Sequence, residues 1–180
     1  MQTLSEKWTV IEKDWGTSPP PQYADDAAFA DTLTTVGTVI AEASQDVAAG
    51  DLAKAHLTLE QIRAEVGALH IRNGILTFSD RMNAYHAKME EVLDHDLAAL
   101  GDKGTAVLLE DAAVLVYLAE DIVGHPAPEA SDPAYALLVD AVRQSVGAVQ
   151  TAARAGDMVA AKAAIGQLKV PYAKLFAKFG

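Results

Sequence analysis

Residues 48–74 read AAGDLAKAHLTLEQIRAEVGALHIRNG, and residues 154–180 read RAGDMVAAKAAIGQLKVPYAKLFAKFG. The two stretches align without a gap. Gly50-Asp51 falls on Gly156-Asp157, Gln61 on Gln167, Ile62 on Leu168, Arg63 on Lys169, Leu69 on Leu175 and Gly74 on Gly180. A weaker third copy begins at Gly101-Asp102. Each Gly-Asp pair carries two signals: a glycine that can end one helix in a left-handed conformation, and an aspartate that can cap the next. Short connections make consecutive helices neighbours. The repeat therefore predicts an all-α fold, an up-and-down antiparallel bundle of helical hairpins with four core helices and two more packed on or extending it.

Working outward, the apolar periodicity is helical from Asp25 onward, and strand signals are nearly absent. Helices are expected near 25–49, 51–73, 78–99, 105–123, 132–155 and 157–178. They form one bundle domain over 25–180, with repeated hairpins near 28–74 and 134–180. Residues 1–24 stand apart. WGTSPPPQY carries three consecutive prolines, so an extended arm is expected there, pinned across the domain by Trp8, Val10, Ile11 and Trp15.

Composition narrows the chemistry. The 180 residues include no cysteine, which excludes disulfides, zinc–thiolate sites, iron–sulfur clusters and covalently attached c-type haem. A formal net charge of −11 disfavours nucleic acid and anionic membrane, and suits cations or basic partners. No apolar run approaches the roughly 20 residues that span a bilayer, and MQTLSEKWTVIEKDW lacks the basic start and apolar core of a signal peptide. There is no Gly-x-Ser-x-Gly, phosphate-binding glycine loop or His-Glu-x-x-His. No nucleophile stands beside a base, so no enzyme is expected.

The least ordinary stretch is LHIRNGILTFSDRMNAYHAKMEE, residues 69–91, where two histidines and two methionines flank a turn. Asn73-Gly74 is a helix stop, and Thr77 with Asp80 makes a capping box. Counted from the turn, His70 and Met82 are equidistant. At about 100° per residue, His70 falls at the buried edge of a stripe with Leu59, Ile62, Val66 and Leu69. On the next helix Met82, His86, Met89 and Leu93 share a stripe about 60° wide. The expected metal ligands are His70, Met82, His86 and Met89, with Glu90 close enough to His86 to contribute and Glu65 at the same level. Imidazole with thioether suits copper, as Cu(I) or as Cu(II) with a weak sulfur ligand; carboxylates would favour iron. The competing reading is core packing, since Met is a common filler and buried His more often hydrogen-bonds than ligates.

Two other groups carry histidine. His56 and Glu60 stand opposite Glu91 and His95, a carboxylate–histidine spacing, but helical phase turns Glu91 and His95 away from Met82 towards solvent. His125, in GHPAPEASDP, is a loop residue without a partner in sequence.

The last copy, AGDMVAAKAAIGQLKVPYAKLFAKFG, resembles the C-terminal helix of cytochrome c-prime and of the periplasmic four-helix b-type cytochromes. The likeness covers the two hairpins. It departs in lacking Cys-x-x-Cys-His and in placing Phe176 where those helices carry the haem-ligating His. In the first copy that position is His70, followed by Ile71-Arg72-Asn73. The resemblance implies haem b held by His70 and Met82 as the alternative cofactor, and the periplasm as compartment, with an export signal absent from this sequence. The functional expectation is a non-catalytic copper carrier or buffer, iron being second, served by a membrane metal transporter or a redox partner. A ligand-free protein-interaction bundle is the alternative of another class.

Overall fold

The computed structural model describes residues 1–97, 99 and 103–180. It is all-helical: α1 Gln2–Trp15, α2 Phe29–Ala48, α3 Leu52–Arg72, α4 Phe78–Asp94, α5 Gly104–Gly124, α6 Pro133–Ala155, α7 Met158–Ile165 and α8 Lys169–Phe179. The helices divide into two compact units, Met1–Leu76 and Thr77–Gly180.

The repeat acts as its chemistry requires. Gly50 and Gly156 both adopt positive φ, at 81° and 67°. The Asp51 carboxylate accepts from the Lys54 N–H at 3.0 Å, and Asp157 accepts from Ala160 N–H at 2.9 Å. Gly50 thus joins α2 to α3, and Gly156 joins α6 to α7. The third copy, Gly101-Asp102, lies outside the described residues. A Cβ added at Gly156 would meet nothing within 4 Å, so Gly156→Ala carries only a conformational cost. It should destabilise the second unit by about 1–2 kcal/mol, read as a lowered urea midpoint with unchanged slope.

The first unit contains α1 to α3. Phe29, Leu33 and Leu69 form a small core with Trp8 and Tyr23 packed against it. The expected extended arm is corrected here: Gln2–Trp15 is a helix, and only Pro21–Tyr23 forms a short 3-10 turn. The first proline is Pro19, so nothing before it blocks a helix, and Leu4, Trp8, Ile11 and Trp15 recur at helical spacing. Trp8 does pin the segment, its indole N–H donating to the Leu33 carbonyl at 3.0 Å.

Two carboxylates brace this unit. Asp26 accepts from Asn73 and from Arg72, both at 2.7 Å. Asp46 accepts from Lys54 at 2.7 Å and from Thr58 at 3.1 Å. The Asn73 amide, then Arg72 and the Ala28 N–H, outweigh burial and hold the Asp26 carboxyl below its ordinary 3.8. Lys54, then Thr58, does the same for Asp46. A carboxyl lowered in the folded state binds fewer protons than in the unfolded chain. Its contribution is present above about pH 4 and lost as pH falls through the folded value. Tryptophan fluorescence, which arises only from Trp8 and Trp15, should report acid unfolding of the first unit beginning below about pH 4.

The second unit is a four-helix bundle whose last helix is broken. α5 packs on α4 and α6, α6 packs on α7 and α8, and α8 closes back on α4. Its core includes Met82, Tyr85, Met89, Leu108, Leu115, Val142, Leu168 and Leu175. The helix expected over 157–178 is interrupted at Gly166–Leu168 by tight i to i+3 hydrogen bonds. Pro171 accounts for the break, because it has no N–H for the Gln167 carbonyl and suits only the first turn of α8. Thr77 and Asp80 close α4 with the expected capping box. The helix expected to run to residue 99 stops at Asp94, and His95 leaves it in an extended conformation.

Candidate functional site

Of the five expected ligands, Met82, His86, Met89 and Glu90 lie together on α4 of the second unit. His70 lies on α3 of the first unit, half-buried, with its ring stacked at 6.4 Å on Tyr23.

The α4 residues separate by burial. Met82 and Met89 are fully buried, part of the bundle core. His86, between them at i+4 and i−3, sits at the core's edge with its side chain 14% exposed. Its ring stacks on Tyr172 of α8 at 5.1 Å. Tyr172 in turn stacks on Tyr85 at 5.7 Å and on Phe176 at 5.7 Å. This aromatic tier fixes the imidazole plane. Burial pushes the Tyr85 phenol well above its ordinary value, so it stays neutral.

His86 Nε2 lies 3.4 Å from Glu90 Oε1, and Lys169 Nζ lies 2.9 Å from the same oxygen. Asn83 belongs to the same face, three residues before His86 and seven before Glu90. Its Oδ1 is buried and accepts no hydrogen bond among the described residues. Imidazole, carboxylate and amide oxygen thus form a stripe on α4, with a thioether one turn to either side of His86. Among the described residues, no three His, Asp or Glu side chains cluster closely enough to hold a metal by themselves. A site here has to be completed by the amide oxygen or by sulfur.

A second polar centre lies on the opposite side of α4. Asp111 of α5 is 4% exposed. Lys88 Nζ lies 2.7 Å from its Oδ1, and His95 Nδ1 lies 2.9 Å from its Oδ2. Glu91 completes the group, 3.0 Å from Lys88 and 3.9 Å from His95. Burial alone would lower the Lys88 pKa, but Asp111 and Glu91 outweigh it and hold Lys88 above 10.5. The expectation that His95 faces solvent is corrected: its side chain is 30% exposed and held by Asp111. Helical phase does not apply at residue 95, because α4 ends at Asp94. His56 is exposed on α3, 3.8 Å from the half-buried Glu60. His125 is held by Asp121, Nδ1 lying 2.9 Å from the backbone carbonyl and 3.1 Å from the carboxylate.

No protein-family model matches this sequence, and comparison with curated proteins and with solved structures finds no relative. No described helix is long and apolar enough to cross a membrane.

Proposed function

We propose that the protein binds a single copper ion on α4 and carries or buffers it without catalysis. His86 and Glu90 would be the first ligands, Asn83 Oδ1 an adjoining oxygen, and Met82 and Met89 the soft ligands. The observation that supports this reading is the 3.4 Å between His86 Nε2 and Glu90 Oε1. It is longer than a charge-assisted hydrogen bond, which runs about 2.7–2.9 Å. Two ligand atoms about 2.0–2.1 Å from one tetrahedral metal lie about 3.3–3.4 Å apart. An acceptor without a donor at Asn83 points the same way, because a cation satisfies acceptors where a further side-chain donor is lacking.

Copper is favoured over iron by the sulfur on both sides of His86. The thioethers are buried, and methionine's three rotatable bonds let sulfur turn towards a neighbour one helical turn away. A single ion is better supported than haem b. Porphyrin would have to enter where Met82 is packed without exposure.

Lys169 Nζ lies 2.9 Å from Glu90 Oε1 and would compete with a cation for that oxygen. The pair is solvent-exposed on the lysine side and worth less than about 1 kcal/mol. Lys169→Met should therefore raise copper affinity about 2- to 5-fold in competition with a colorimetric chelator. A drop in affinity would assign Lys169 a supporting role and Glu90 none as a ligand.

A further inference from the structure

A cavity of about 790 Å³ lies within the second unit, away from His86 and between the end of α4 and α7. Val92, Leu93, Leu97, Met158 and Ile165 make its walls apolar, and His95 and Lys162 add basic groups. A volume in this range with few polar groups is typical of small-molecule sites.

The polar groups differ in what they have left to bind. Asp96 also borders the cavity, but its carboxylate accepts from the Ala99 N–H at 3.3 Å. His95 is oriented by a buried carboxylate: Asp111, ion-paired with Lys88, accepts from Nδ1. Nε2 lies 3.9 Å from Glu91 Oε1, too far for a hydrogen bond, and is the ring atom left to meet a ligand. Lys162 makes no ion pair among the described residues. In a chain of net charge −11, an unpaired lysine at the rim of an apolar cavity is the group an acid would find.

We infer that this cavity binds a small amphipathic carboxylic acid, its apolar body against Val92, Leu97, Met158 and Ile165 and its carboxylate between Lys162 and His95. The site is separate from the α4 metal stripe and does not depend on it.

The test is isothermal titration of the full chain with decanoate, decanol and decylamine. Decanoate is expected to bind with one equivalent and most tightly. Lys162→Ala should weaken decanoate about tenfold and leave decanol unchanged. Ala163→Trp should abolish binding of both, since Ala163 borders the cavity from an exposed position where a larger side chain fills space without entering the core. Circular dichroism confirms that each variant is folded. No binding of decanoate, decanoate binding undiminished in folded Ala163→Trp, or decylamine binding more tightly than decanoate would each overturn the assignment.

Discussion

Replacing Asp111 with Ala should destabilise the second unit by about 3 kcal/mol, lowering its melting temperature by roughly 10–20 °C. The carboxylate is buried, and two basic groups converge on it from α4 and the residue just beyond its end. Removing one partner of a buried pair costs more than the pair contributes, because the other charge stays buried and unmatched. Lys88 is only 16% exposed. It keeps Glu91 at 3.0 Å, which places the cost at the lower end of the usual range. The double variant Asp111→Leu, Lys88→Met removes both charges and should recover most of the loss. Far-UV circular dichroism, which reads all the helices, follows the transition. Lys88 adds a pH signature. A lysine raised in the folded state contributes fully below 10.5 and loses that contribution as pH climbs through its folded value. The alkaline loss should be smaller in the double variant.

The second large effect concerns His86. His86→Ala should lower copper affinity by at least about 100-fold, more than the loss of a supporting residue usually costs a metal site. The fold should survive, because His86 lies at the edge of the core and the core residues around it are unchanged. Glu90→Gln should give a smaller loss, since the amide keeps an oxygen but not the charge. Met82→Leu and Met89→Leu conserve volume and should cost less than about 1.5 kcal/mol in stability. Their effect on copper should fall on Cu(I) more than on Cu(II). Equal copper affinity in His86→Ala and the parent chain would remove α4 as the site.

What the sequence could reveal was what neighbouring residues decide. Gly50 and Gly156 take the left-handed turn because nothing but local backbone geometry sets that preference, and Asp51 and Asp157 cap within three residues. Thr77 and Asp80 are likewise settled by each other. The break before α8 was written in Gly166 and Pro171, but a continuous apolar pattern concealed it. The prolines at 19–21 act only on their immediate neighbours and leave the helical spacing of Leu4, Trp8, Ile11 and Trp15 intact.

The candidate site was only half legible. The phase of Met82, His86 and Met89 on one helix follows from sequence. The ring of Tyr172 over His86 and the lysine on Glu90 come from α8, more than 75 residues away, and no local pattern predicts them. The Asp111 centre was missed for a related reason. The helix stops at Asp94, so helical phase places His95 on the wrong side. A signal did exist. Asp111 sits in phase with Leu108, Ala112, Leu115, Ala119 and Ile122, a lone acid in the apolar stripe of α5. Such a residue needs a buried basic partner, and Lys88 and His95 are the ones the bundle supplies.

Copper binding on α4, as proposed, is open to direct test. The most direct measurement is equilibrium titration of the full chain with Cu(I) under reducing conditions and with Cu(II), each in competition with a colorimetric chelator. Metal content is read by elemental analysis after gel filtration. One equivalent of copper should be retained, with Zn(II) and Fe(II) bound more weakly. No copper retained in either oxidation state, or full retention by the His86→Ala chain, would contradict it.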